Sequence, residues 1–241
     1  NPATGEQIGE CPFSSVAEVD HAVAVAKQAF ESWRRTPVEE RIQPLFRLKA
    51  LLDEHAEELA AILTREHGKT LSEALGSVRR GIQMVEAATS APSMMMGQSL
   101  EDISRGIDCQ SVRQPVGVFS CIAPFNFPAM VPLWFFPFAV ACGNTFVCKP
   151  SEQVPFSQKR MFELVHEAGF PPGVLNLVNG AHDVVNGLLD NPDVDGISFV
   201  GSTPIAQYVY TRASAKLKRV QALGGAKNYI FLMADADMEF A

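Results

Sequence analysis

Apolar positions in the first hundred residues recur every three or four places, while those beyond residue 115 gather in short continuous runs. The first pattern predicts amphipathic helices, and the second predicts buried strands. Val19, Ala22, Val23, Ala26, Phe30 and Trp33 make one face of a helix. Ser15-Val16-Ala17-Glu18 ahead of it reads as a capping box, in which a Ser oxygen and a Glu carboxylate three residues on satisfy free amides. Thr36-Pro37-Val38-Glu39 signals a second start, with Pro37 at the first helical position. Its buried face would hold Ile42, Leu45, Phe46 and Leu52. A third helix carries Leu59, Ile62 and Leu63 and stops at Gly68. A fourth runs from Ser72 to Ala91 and ends at Pro92.

The helical period is lost near Met94, and Leu100 to Val112 reads as extended or hairpin structure. From Val116 onward, strands alternate with helices. The predicted strands are Val118–Ile122, Thr145–Cys148, Val174–Val178 and Gly196–Val200, with two more near Lys218–Ala222 and Tyr229–Met233. Met130–Ala141, Ser157–Ala168, Asp183–Leu189 and Pro204–Ala213 have helical length. Short apolar strands separated by helices predict a parallel sheet covered on both faces. This is the doubly wound α/β class, in which ligands bind at the carboxyl ends of the strands. The chain divides into a helical part (1–99), an extended part (100–115) and a run of βα units (116–241), with no internal repeat.

Composition narrows the function. Of 241 residues, 47% are hydrophobic and 20% charged, which excludes a disordered chain. The net charge of −7, with no basic run, argues against nucleic-acid and anionic-membrane partners. The longest apolar stretch, Ala129 to Cys142, has 14 residues and two prolines. It is shorter than the roughly 18 needed to span a bilayer and is expected to be core. Asn1-Pro2-Ala3-Thr4-Gly5 is a turn sequence, so neither a secretory signal nor a natural translation start is expected there. The cysteines are Cys11, Cys109, Cys121, Cys142 and Cys148. Their odd number and the absence of C-x-x-C spacing predict buried free thiols in a reducing compartment, with neither zinc nor a disulfide framework.

There is no G-x-G-x-x-G fingerprint and no G-x-x-x-x-G-K-[ST] phosphate loop. Four other segments carry chemistry, each at a predicted strand end. Ile122-Ala123-Pro124-Phe125-Asn126-Phe127-Pro128 fixes Asn126 between two prolines. Its amide is either a donor to a developing oxyanion or a local turn former. Lys149-Pro150-Ser151-Glu152 pairs a cation and a carboxylate that can hold vicinal ribose hydroxyls, or can form a solvated ion pair. Phe199-Val200-Gly201-Ser202-Thr203-Pro204 joins a strand to a helix start suited to phosphate, or simply to a Ser cap. Ala222-Leu223-Gly224-Gly225-Ala226-Lys227-Asn228 permits close backbone approach to a ligand, or a tight turn.

Together, P-F-N-F-P, K-P-S-E, F-V-G-S-T and L-G-G-A-K-N resemble the aldehyde dehydrogenase superfamily in order and spacing. So do the opening N-P-A-T-G-E and the E-H-G-K-T at Glu66–Thr70, and the resemblance covers nearly the whole chain. I-A-P-F-N-F-P-A-M-V-P-L-W, G-N-T-F-V-C-K-P-S-E and K-R-V-Q-A-L-G-G-A-K-N are most similar to its CoA-acylating branch, which acts on methylmalonate and malonate semialdehydes.

The resemblance implies that Lys149 and Glu152 hold the adenosine ribose of NAD, with the carboxylate disfavouring NADP. It implies that Ser202 meets the pyrophosphate, that Ala123 and Phe125 line the cofactor cleft, and that Gly224 lies near the nicotinamide. Asn126 would be the oxyanion donor, and Arg80 would hold the substrate carboxylate. Coenzyme A would be co-substrate. Residues 100–115 would join an oligomerisation sheet of a homodimer or homotetramer, in the cytoplasm or a mitochondrial matrix. Hydrolytic members carry E-L-G-G-K, whose Glu activates water; Ala222 stands there and cannot act as a base. A thioester would then await CoA. Gln153 stands where that branch has Arg, so one cofactor contact is not carried over. The family's nucleophilic cysteine follows the L-G-G-x-K segment by a few tens of residues, beyond Ala241, and none of the five cysteines matches it. The chain therefore reads as a cofactor-binding half. A catalytically inactive NAD-binding fragment is the alternative. A purely structural protein is disfavoured because Lys149, Glu152 and Ser202 all remain.

Overall fold

The structure, a computed structural model, describes residues 1–239. The Ser15–Glu18 capping box forms as expected: Ser15 Oγ accepts from the Glu18 amide, and the Glu18 carboxylate accepts from the Ser15 amide at 2.7 Å. It starts α1 (Val16–Trp33), whose buried face is Val19, Val23, Ala26, Phe30 and Trp33. The second predicted helix divides into α2 (Val38–Arg41) and α3 (Gln43–Glu54). Pro37 precedes α2 as its N-cap, so it is not the first helical residue. Phe46 corrects a second expectation. It is 49% exposed, because the period that buries Leu45, Leu48 and Leu52 turns it outward. Helix α4 (Ala56–His67) ends at Gly68 with φ 87°, a left-handed cap that favours glycine.

Helix α5 (Leu71–Ala88) begins at a second capping box, Thr70 with Glu73. It ends before the predicted Ala91, and Pro92 lies in the first turn of a new short helix, α6 (Ala91–Met94). A missing N–H costs nothing there. The extended segment is an antiparallel hairpin, β1 (Gln98–Ser104) and β2 (Ile107–Ser111), exposed at every residue.

The remaining elements alternate as expected. They are β3 (Val118–Ile122), α7 (Pro132–Ala141), β4 (Thr145–Lys149), α8 (Phe156–Glu167) and β5 (Leu175–Leu177). Then come α9 (His182–Asp190), β6 (Val194–Val200), α10 (Thr203–Ser214) and β7 (Arg219–Leu223). Strands β3 to β7 form one parallel sheet in the order β5-β4-β3-β6-β7. The chain steps outward from β3 through β4 to β5, then returns to the other side of β3. That reversal makes the junction of β3 and β6 the switch point of a doubly wound sheet.

The sheet is covered on both faces. One face packs α7 and α8, with α3, α4 and α5 outside them; Phe136 of α7 is fully buried against Phe146 and Phe162. The apolar stretch Ala129–Cys142 is therefore core, wedged between the sheet and α5. The other face packs α1, α9 and α10. The first hundred residues thus clothe the sheet and do not stand apart from it. Among the described residues no helix is long and apolar enough to cross a membrane.

Two expectations fail. Tyr229–Met233 forms no strand; beyond Leu223 the chain leaves the sheet, and these side chains lie exposed, without the apolar burial that would hold them on the open edge of β7. The five thiols are free, but only Cys121 and Cys148 are buried; Cys11 and Cys142 are half-buried, and Cys109 is exposed because the hairpin has no covering layer. Burial pushes the Cys142 thiol up from its ordinary value, against the pull of Arg41 and Arg113.

Candidate functional site at the carboxyl edge of the sheet

Strand register brings the four motif segments to one edge. Ile122 pairs with Lys149 on one side and Phe199 on the other, and Phe199 pairs with Ala222. The ladder continues one step further, as the Ala123 amide donates to Lys149 O at 2.9 Å and the Gly201 amide to Leu223 O at 3.1 Å. The loops carrying Ala123–Pro128, Pro150–Glu152, Gly201–Ser202 and Gly224–Gly225 therefore leave adjacent strands at the same end. Parallel strands present their backbone dipoles and loops together there, so residues far apart in sequence converge without any local signal.

Lys149 closes β4 with its side chain only 5% exposed, and its Nζ donates to Glu152 Oε2 at 3.0 Å. The pair is therefore buried at its cation and solvent-exposed at its carboxylate, a salt bridge at the rim of a strand-end turn. Burial pushes the Glu152 carboxyl up, but its own backbone amide and the Lys149 ammonium outweigh this and leave it below its ordinary value.

At the start of α10, Ser202 is the N-cap by backbone geometry, yet its hydroxyl makes no capping bond. The Thr203 and Ile205 amides have no partner among the described residues, and Pro204 has no amide N–H to offer. An uncapped turn of this kind concentrates positive potential on two free N–H groups and one hydroxyl, a fit for a diphosphate. Ile205, half exposed on the same turn, offers apolar surface beside them.

The Gly loop docks on that turn. The Gly225 amide donates to Thr203 Oγ1 at 3.1 Å, and a Cβ at Gly224 would stand 3.3 Å from Thr203 Cα. A side chain there would press on Thr203 by a few tenths of an ångström. Ala222 is half-buried against the core of that face and carries no group able to move a proton.

Asn126 is exposed in a loop held at three points. Lys69 Nζ donates to Asn126 O at 2.7 Å, Val131 N to Phe127 O at 3.1 Å, and Gln158 Nε2 to Pro128 O. The Asn126 side-chain amide makes no hydrogen bond among the described residues, which leaves it available to donate. Ala123 is buried beneath this loop at the strand end. The Phe125 ring stacks on His67, with centroids 6.1 Å apart and planes 19° apart. Both border an open cavity of about 500 Å³ that also touches Glu66, Gln153 and Val154. Arg80 stands apart from this cluster. It is exposed on α5, with Nη1 reaching only Gln83 at 3.5 Å.

Sequence reasoning missed the contribution of Glu66 and Lys69. Glu66, on α4, accepts from the Phe156 and Ser157 amides at 2.7 and 3.0 Å and so caps α8 from ninety residues away. Burial pushes its carboxyl up, opposed by the Ser157 and Phe156 hydrogen bonds. Among the described residues no group of three His, Cys, Asp or Glu side chains gathers as a metal site.

Comparison with known proteins identifies the family and the fold. The family model described as "Aldehyde dehydrogenase family" matches residues 1–241. Malonate-semialdehyde dehydrogenase 2 of Geobacillus kaustophilus is 57% identical over 241 residues, covering 100% of this chain and 50% of that protein. The crystal structure of methylmalonate-semialdehyde dehydrogenase from Oceanimonas doudoroffii superposes with a TM-score of 0.94 at 49% identity, over 99% of this chain and 49% of that one. A Sinorhizobium meliloti 1021 structure complexed with NAD gives a TM-score of 0.93 at 45% identity, over 99% of this chain and 49% of that one. The chain spans about half the length of the curated relatives it matches.

Proposed function

The chain belongs to the aldehyde dehydrogenase family, and from that membership we propose that it is the NAD-binding half of an enzyme that oxidises malonate or methylmalonate semialdehyde to an acyl-CoA. The observation that carries the cofactor assignment is the bridge from buried Lys149 to exposed Glu152, lying on the same sheet edge as the uncapped start of α10. The first suits vicinal ribose hydroxyls and the second suits a pyrophosphate. Ala123 and Gly224 border the space between, and the Ile205 face suits the flat apolar surface of a nucleobase. NAD, when bound, accepts hydride from the substrate carbon.

The residues of this chain bind and orient. Asn126 donates to the oxygen that becomes negative when a thiolate adds to the aldehyde. Arg80, exposed on α5, is assigned to the substrate carboxylate by the resemblance alone. The thiolate belongs to a cysteine outside these 241 residues. The buried pair Cys121 and Cys148 point at each other, with their sulfurs 3.4 Å apart. Ala222 leaves the thioester without a protein base for water, so CoA thiolate takes the acyl group. For malonate semialdehyde the balance is one aldehyde, one NAD and one CoA going to acetyl-CoA, CO₂ and NADH; methylmalonate semialdehyde gives propionyl-CoA. The hairpin β1–β2 exposes Leu100, Ile103 and Ile107 by more than half, which supports its role as an oligomerisation edge.

The test is NADH formation by the full-length protein with malonate semialdehyde. Many turnovers are expected with CoA, and no more than about one equivalent per site without it. Sustained turnover at an equal rate without CoA would overturn the acylating assignment. NAD binding with no NADH under either condition would favour the inactive cofactor-binding module.

Glu152 gives a pH prediction. Its carboxyl lies below the usual value, so it stays ionised throughout the neutral and mildly acid range. The affinity it contributes is complete above the ordinary carboxylate pKa and is lost only as pH falls through its depressed one. Calorimetric titration with NAD should therefore give a flat Kd from about pH 8 to pH 5. Glu152→Gln should weaken binding at every pH in that window. A Kd that rises between pH 7 and 6 would assign the effect to a histidine instead.

A further inference from the structure

The segment Glu66–Thr70 joins α4 to α5 and lies outside the strand-end cluster, yet it touches the Asn126 loop twice. His67 stacks on Phe125. Lys69 donates to Asn126 O at 2.7 Å, and its ammonium lies 4.6 Å from the centroid of the Phe127 ring. The segment is itself held rigidly. Glu66 is buried and bonded to the start of α8. Gly68 is fixed in the left-handed region, where a Cβ would meet Pro2 Cγ at 2.8 Å. Thr70 is locked by the Glu73 carboxylate at 3.1 Å from its amide. Lys69 therefore projects from a stiff base onto a loop whose free functional group is the Asn126 side chain.

We propose that Lys69 is a positioning residue for Asn126. Its charge-assisted bond fixes the peptide plane between Asn126 and Phe127, and its contact with the Phe127 ring holds the next side chain. The orientation of that plane sets the direction of the Asn126 side chain. Because Lys69 acts on the backbone oxygen, the side-chain amide stays free to donate. An oxyanion donor works only if it is pre-aimed, and a misplacement of about 1 Å can cost about a hundredfold. The proposal rests on the reading of Asn126 as that donor.

The experiment compares Lys69→Met, Lys69→Arg and Asn126→Ala in the full-length protein, with Lys69→Gln in place of Lys69→Met should that variant fail to fold. Lys69→Met should slow single-turnover NADH formation by about tenfold or more and leave the KM for NAD unchanged. It should also speed amide hydrogen exchange across residues 125–129. Lys69→Arg, which keeps a cation able to donate and to lie over the ring, should restore most of the rate. In the Asn126→Ala background, Lys69→Met should add no further loss, because the two act as one unit. A wild-type rate in Lys69→Met, or an equal loss in both backgrounds, would overturn the positioning role. A wild-type rate in Asn126→Ala alone would overturn the underlying reading of Asn126, whatever Lys69 does to loop exchange.

Discussion

Replacing Asn126 with alanine should lower the rate of hydride transfer in the full-length protein by about 10²- to 10³-fold, equivalent to about 2.7–4 kcal/mol. NAD affinity should not change, because the cofactor-holding groups sit on other strands: Lys149 ends β4 and Ser202 precedes α10. The size of the effect follows from the loop. Its backbone is tied down by Lys69, Gln158 and the Val131 amide, so the Asn126 amide pays little ordering cost when the oxyanion forms. Asn126→Asp is the informative partner. It preserves size but replaces the donor with a negative charge, and it should be at least as slow. Rapid-mixing measurement of NADH formation separates this from later steps. A rate within a factor of about two of the parent in both variants would remove Asn126 from the chemistry.

Phe136→Ala should cost about 3–5 kcal/mol of stability. The ring is fully buried on α7, with Phe146 of β4 at 6.4 Å and Phe162 of α8 at 6.0 Å between centroids. It joins three consecutive elements, α7, β4 and α8, and β4 ends at Lys149. Truncation leaves a cavity that its aromatic neighbours cannot fill without leaving their own contacts. At roughly 2–4 °C per kcal/mol for a chain of this size, the melting temperature should fall by about 10 °C. Phe136→Leu, which keeps most of the volume, should lose about 1–1.5 kcal/mol. Scanning calorimetry on all three proteins tests this, and a loss below about 1 kcal/mol for Phe136→Ala would contradict the packing described.

Much of the fold is legible in the sequence because its causes are local. The capping box at Ser15–Glu18, the left-handed stop at Gly68 and the apolar run Val118–Ile122 all announce themselves within a few residues. The elements misread are those decided by what lies opposite them. Tyr229–Met233 has strand composition but no layer that buries its side chains. Phe46 lies on a helix that the pattern identifies, yet one position off the face that α5 and α8 cover.

The site divides the same way. Lys149 with Glu152, and Ser202 with its free amides, are visible as strand-end motifs whose partners are within four residues. Glu66 and Lys69 are not, because their partners are 90 and 57 residues away. No periodicity or spacing rule reaches that far; only the resemblance of the E-H-G-K-T segment hinted at it. Arg80 is the reverse case: chemically suited to a carboxylate, but exposed and bonded only within its own helix.

The long-range cap on α8 has a consequence for how the protein is made. Synthesis releases α1 to α5 before any strand of the parallel sheet exists; α3, α4 and α5 can pack on one another, but Val19 and Val23 of α1 emerge with nothing to cover them. The partners of α1 include β4 and α9, the latter ending at Asp190. At about 5–20 residues per second, those faces wait on the order of ten seconds at the ribosome before their partners arrive. Helix α1 therefore docks late, after α3, α4 and α5, which can already pack on one another.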